Sequence, residues 1–145
     1  NLGSTGANNL LNDYEIGSFI PTISAASGSG HTYSVQVARY VKIGDIVNFH
    51  IFVGLATLGT LSGAIDIDGL PFTSNSTTNL LQSVTVGGAD NLAITAGETV
   101  AGFIRPNTAA VEMKIWNSAT GAISMTAAEL SADGNLIVSG SYIAA

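Results

Sequence analysis

Thr32-Tyr33-Ser34-Val35-Gln36-Val37-Ala38-Arg39-Tyr40-Val41-Lys42-Ile43-Gly44-Asp45-Ile46-Val47-Asn48-Phe49-His50-Ile51-Phe52-Val53-Gly54-Leu55 is the stretch on which the fold turns. After Gly44-Asp45 the chain alternates, with Val47, Phe49, Ile51, Val53 and Leu55 on one side and Asn48 and His50 on the other. A period of two belongs to a half-buried strand, because successive side chains of extended backbone point to opposite faces. Gly44-Asp45 between two such runs is a hairpin turn. The uncharged stretch from Ile46 to Ile65 has the length of a membrane span. Its polar Asn48, His50, Thr57, Thr60 and Ser62, and its two-residue period, argue for strand and against insertion.

Outward from this hairpin, further short runs rich in Val, Ile, Thr and aromatics are separated by Gly, Ser, Asn and Asp. They predict strands over Ser18–Ile23, Thr32–Ile43, Ile46–Leu55, Gly63–Asp68, Leu80–Val86, Asn91–Thr95, Thr99–Arg105, Ala109–Asn117, Ala122–Thr126 and Asn135–Ile143. Turns fall at Arg105-Pro106-Asn107, Ser118-Ala119-Thr120-Gly121 and Asp133-Gly134-Asn135. One helical turn is expected at Thr126-Ala127-Ala128-Glu129-Leu130, where Thr126 caps and Glu129 follows three residues on. Many short strands at this spacing predict an all-β, antiparallel β-sandwich. Residues 1–16 read as a linker or the end of a preceding stem, and 17–145 as one β-sandwich domain.

The 145 residues carry 10% charged side chains, a net charge of -6 and no cysteine. Disulfides, thiolate metal sites and cysteine nucleophiles are thereby excluded. Only Arg39, Lys42, Arg105 and Lys114 are basic, too few for a phosphate-binding surface, so nucleic acid is excluded as a partner. The chain begins at Asn1 without a basic-plus-apolar leader and reads as a released piece of a longer one. Lys and Glu normally keep exposed strand faces soluble, and here they are scarce. Phe52 lies between Ile51 and Val53, and Ala101 and Phe103 lie opposite Val100 and Gly102. Apolar residues on both faces predict contact between copies of the chain.

Four phrases, in order, resemble a module of bacteriophage tail fibres and tailspikes. They are Asp13-Tyr14-Glu15-Ile16-Gly17-Ser18-Phe19-Ile20-Pro21-Thr22-Ile23, then Tyr33 to Val47, then Gly69-Leu70-Pro71-Phe72, then Ser139-Gly140-Ser141-Tyr142-Ile143. Ile16, Phe19 and Ala38 depart from the usual acidic residue, Trp and Gly of that module. The resemblance implies a C-terminal, jelly-roll-like β-sandwich in a homotrimer on the virion, at the extracellular end of the phage tail. It implies trimer assembly, binding of a host cell-surface polysaccharide, or both. It implies no catalytic residue that carries over to this chain, which is read as non-enzymatic and without a cofactor.

Sugars are held by aromatic faces, with amides and Arg on their hydroxyls. The glycan candidates are Trp116, Asn117, Tyr33, His31, Arg105 and Asn107, with Tyr14, Tyr40 and Phe103 as further aromatics. Trp116 alternates against Val111, Met113 and Ile115 and is expected to face outward. Arg39 is expected to pair with Glu15 or Glu112. Asp66-Ile67-Asp68 puts two carboxylates on one face of a strand, a weak candidate for a metal or a glycosidase pair, with solvated rim carboxylates as the default. No Ser, His or Asp stands in a nucleophile motif. The Gly-rich Gly28-Ser29-Gly30 and Gly87-Gly88-Ala89 lack the Lys and Ser/Thr of a phosphate loop and read as loops at an end of the sandwich.

Overall fold

Gly44-Asp45 turns strand β3 (Thr32–Ile43) back onto β4 (Ile46–Thr57), and the register runs from Ile43 opposite Ile46 to Thr32 opposite Thr57. Gly44 takes a φ of 57°, where L side chains are strained, which is why a glycine holds this turn. The computed structural model describes residues 13–118 and 120–145, so the expected linker up to residue 12, and Ala119 of the expected turn Ser118–Gly121, lie outside the described residues.

The remaining strands are β1 (Tyr14–Phe19), β2 (Thr22–Ser27), β5 (Ser62–Asp68), β6 (Gln82–Asp90), β7 (Thr99–Ile104), β8 (Ala110–Ser118), β9 (Gly121–Ser124) and β10 (Asn135–Ile143). Every pairing is antiparallel, in the order β1-β3-β4-β10-β6-β7-β8-β5-β2, with β9 also on β8. The all-β expectation holds. Two packed sheets are expected from the sequence, whereas the pairings join all ten strands into one sheet curled as a half-barrel over one core.

The curl has a local cause. The expected strand Ser18–Ile23 is broken at Ile20-Pro21, and its halves join opposite ends of the sheet, β1 on β3 and β2 on β5. Proline lacks the N–H that a continuing ladder needs, so the chain bends there and changes partners. Three further expectations are corrected. Tyr14 to Ile16, expected in the linker, open β1, because each finds a ladder partner on β3. Asn91–Thr95 is not a strand, since Asn91 takes a left-handed φ of 57° and a turn follows. Gly87-Gly88-Ala89, expected as a loop, lies within β6, where the β10 ladder slips between Ile137 and Val138 and Gly87 is the extra residue. The single helical turn α1 (Ala127–Leu130) forms where expected. Thr126 N–H donates to the Glu129 carboxylate at 2.6 Å, closing the capping box.

The inner face follows the alternation. Val47, Phe49, Ile51, Val53 and Leu55 of β4 are buried together with Leu136, Val138 and Tyr142 of β10. From the far half come Ile65, Ile67, Ile104, Val111, Met113 and Ile115, with Met125 before α1 and Leu130 from it. Gly140 faces Phe49 across the ladder, and a Cβ there would lie 3.2 Å from the ring. The Tyr142 hydroxyl donates to the Phe72 carbonyl (2.9 Å) and accepts from the Phe72 N–H (3.2 Å). Burial pushes that phenol up to about 12. The folded chain therefore holds the proton after the unfolded chain has released it. Stability from this group is full below pH 10 and falls as pH rises from 10 toward 12. Urea midpoints at pH 9 and pH 11.5 should show that fall, and Tyr142→Phe should flatten it.

Candidate functional site

The curl gives the sheet two outer faces that look away from the shared core. On β1-β3-β4-β10 the outer face is built in rows across the ladder. One row is Tyr14, Ile43, Ile46 and Ile143; the next is Ile16, Val41, Asn48 and Ser141. Then come Ser18, Arg39, His50 and Ser139, followed by Val37, Phe52 and Ile137. Val37 is 57% exposed, Phe52 40% and Ile137 47%. Apolar side chains are thus exposed on both sides of the polar row Ser18, Arg39, His50 and Ser139, and an exposed apolar patch of this kind is a candidate contact surface. The only charged side chains in these rows are Arg39 and, on protonation, its cross-strand neighbour His50. Arg39 does not meet its expected partners. Glu15 accepts from the Tyr40 hydroxyl, and Glu112 is taken by Arg105 and Lys114.

The other outer face, on β7-β8-β9 and β5, carries aromatic and charged groups. Along β8, Val111, Met113 and Ile115 point in, so Glu112, Lys114 and Trp116 point out. Trp116 is 52% exposed, with Thr99 of β7 and Ala122 of β9 as its neighbours across the ladder. Trp116 borders two concavities. One, of about 520 Å³, is lined by Thr95, Glu98, Thr99, Trp116 and Asn117, with Ala96 and Gly97. The other, of about 390 Å³, reaches Phe103 across the small floor residues Ala101 and Ala122, with Lys114 beside them. Strand rise puts Phe103, opposite Glu112, about 13 Å along the face from Trp116. The face thus carries two aromatic rings, of which Trp116 is the exposed one and Phe103 lies under Arg105 and Lys114.

Farther along, Glu112 receives both Arg105 and Lys114, and both cations also lie over the Phe103 ring, at 5.1 and 5.2 Å from its centroid. Burial alone would raise the Glu112 carboxyl. Hydrogen bonds from Arg105 and Lys114 outweigh it and hold the group below its ordinary value. Asp66 is the cross-strand neighbour of Glu112. Burial, then repulsion from Glu112 and Asp68, raises the Asp66 carboxyl, with Lys114 and Arg105 pulling it partly back. Asp66 and Asp68 share this outer face as their spacing predicts. Among the described residues no group of three or more acidic or histidine side chains converges to hold a metal ion.

Of the six glycan candidates, Trp116 and Asn117 share one groove. Arg105 lies farther along the same face, engaged with Glu112. Asn107 forms the β7–β8 turn with a φ of 58°. His31 and Tyr33 are elsewhere and occupied with each other: the His31 ring and Tyr33 hydroxyl are 3.0 Å apart, and that hydroxyl accepts from the Ile23 N–H at 2.7 Å. Burial is the main cause that raises the Tyr33 phenol. The groove wall from Thr95 to Glu98 is absent from the sequence-derived candidates. Its signal is the Thr95-x-x-Glu98 spacing, in which the Glu98 carboxylate returns to accept from the Thr95 N–H at 2.8 Å.

The arrangement of strands is found in another protein. A crystal structure of Dettilon tailspike protein (gp208) superposes with a TM-score of 0.78 at 18% sequence identity, over 90% of this chain and 24% of that one. The fold is that of a tailspike segment. This chain therefore spans about a quarter of the length of the tailspike chain it matches. No protein-family model and no curated protein matches the sequence.

Proposed function

We propose that this chain is a β domain of a bacteriophage tail fibre or tailspike, acting in the virion as a homotrimer and without enzymatic activity. Three copies assemble through the outer face of β1-β3-β4-β10, and each turns its Trp116 face toward a polysaccharide of the host surface. The observation that carries this reading is the row Val37–Phe52–Ile137, apolar and exposed in a chain with only 10% charged residues. The order of the tail-fibre phrases and the fold shared with a tailspike segment support the virion setting. Three equivalent weak sites on one particle bind by avidity, so each groove can be shallow.

A non-catalytic role is supported by where the carboxylates lie, since Glu98 is the one carboxylate in the groove and glycoside hydrolysis uses a pair. Glu112 is bound by two cations, and neither Asp66 nor Asp68 lines the grooves beside Trp116. Replacing a central aromatic contact by alanine typically costs 2 kcal/mol or more, about 30-fold per site. Trp116→Ala should therefore abolish adsorption to host polysaccharide while leaving the solution mass unchanged. Adsorption at the original level would reduce the domain to an assembly module without receptor contact.

A further inference from the structure

We infer that the Trp116 groove takes an uncharged glycan and discriminates against glycans bearing carboxylate or phosphate. The inference rests on the glycan reading above and adds the class of ligand. Its ground is the charge on the groove wall. Thr95, Thr99 and Asn117 supply neutral hydrogen-bonding groups around the indole, and Glu98 is the one charged residue of the lining. The carboxylate of Glu98 is held in place by its bond from the Thr95 N–H. Among the described residues no lysine or arginine lines that groove. Lys42 pairs with Asp13, Arg105 and Lys114 both pair with Glu112, and Arg39 is on the other outer face, in the Ser18–His50 row. Lys114, which borders the neighbouring concavity, also bonds the Ser124 hydroxyl at 3.1 Å. An anionic sugar stacked on Trp116 would face Glu98 with no cation in the groove lining, within a chain of net charge -6.

A like-charge pair at about 4 Å costs about a factor of five in affinity even at the dielectric of bulk water, and more as water is excluded. Trp116 is the only tryptophan in the chain, so its fluorescence reports occupancy of this groove directly. The test is a fluorescence titration of the intact assembly with neutral hexose oligosaccharides. It is repeated with the same oligosaccharides after one primary alcohol has been oxidised to a carboxylate. The expected result is binding of a neutral form, with its oxidised counterpart at least fivefold weaker. The gap should narrow as salt is raised and close in Glu98→Gln, whose amide oxygen still accepts from Thr95. Equal or tighter binding of the oxidised form, or a gap that Glu98→Gln leaves intact, overturns the inference and leaves the glycan reading standing. If neither form perturbs Trp116, the groove is not a glycan site and both fall.

Discussion

Phe52→Glu leaves each chain folded and reduces the assembly to single chains of 14.7 kDa. Phe52 is centred in the outer row, between Val37 of β3 and Ile137 of β10, and contributes nothing to the inner core. In one chain its ring is 40% exposed, so a carboxylate there keeps its water and the fold tolerates it. Between copies the same carboxylate would be buried against valine and isoleucine. An unpaired buried charge costs several kcal/mol at each of three equivalent positions, which a shared apolar interface cannot absorb. Light scattering reads the mass, and circular dichroism of the variant should match the parent. A variant that stays associated would move the interface off this face.

Phe49→Ala has the opposite consequence three residues earlier on the same strand. Phe49 is fully buried, packed edge-on against Tyr142 at a centroid separation of 5.9 Å and facing Gly140 across the ladder. Gly140 has no side chain with which to close the hole. The expected cost is about 3–5 kcal/mol, at the upper end for a core truncation. For a chain of this length that lowers the melting temperature by about 10–20 °C. Differential scanning calorimetry checks it. A loss under about 1 kcal/mol would mean that the core closes over the gap. Together the two variants test separately the two faces of β4: Phe49→Ala the buried face that packs the core, Phe52→Glu the outer face proposed to join copies.

Much of this was legible in the residues because it depends on alternation. The inward set of β4, the outward set of β8 with Trp116, the Gly44-Asp45 turn and the Thr126–Glu129 cap all follow from local spacing. The misses are long-range. Pro21 marks a break within Ser18–Ile23, but nothing local says that the two halves join opposite ends of one sheet. The same event turns an expected sandwich into a curled single sheet. Gly87-Gly88 reads as a loop because glycine pairs are common in turns, whereas here Gly87 is the extra residue of a bulge against β10. The bond between His31 and Tyr33, both glycan candidates, is visible only in three dimensions. The groove beside Trp116 depends on a loop more than fifteen residues away in sequence, so its Glu98 wall could not be assembled from motifs alone.

The central claim is that the outer face of β1-β3-β4-β10 joins three copies. Its most direct test is the solution mass of the chain by multi-angle light scattering after gel filtration. The account predicts about 44 kDa, three times the 14.7 kDa of one chain, independent of concentration over the micromolar range. A stable mass of one chain would contradict it, because Val37, Phe52 and Ile137 would then face water in the working molecule.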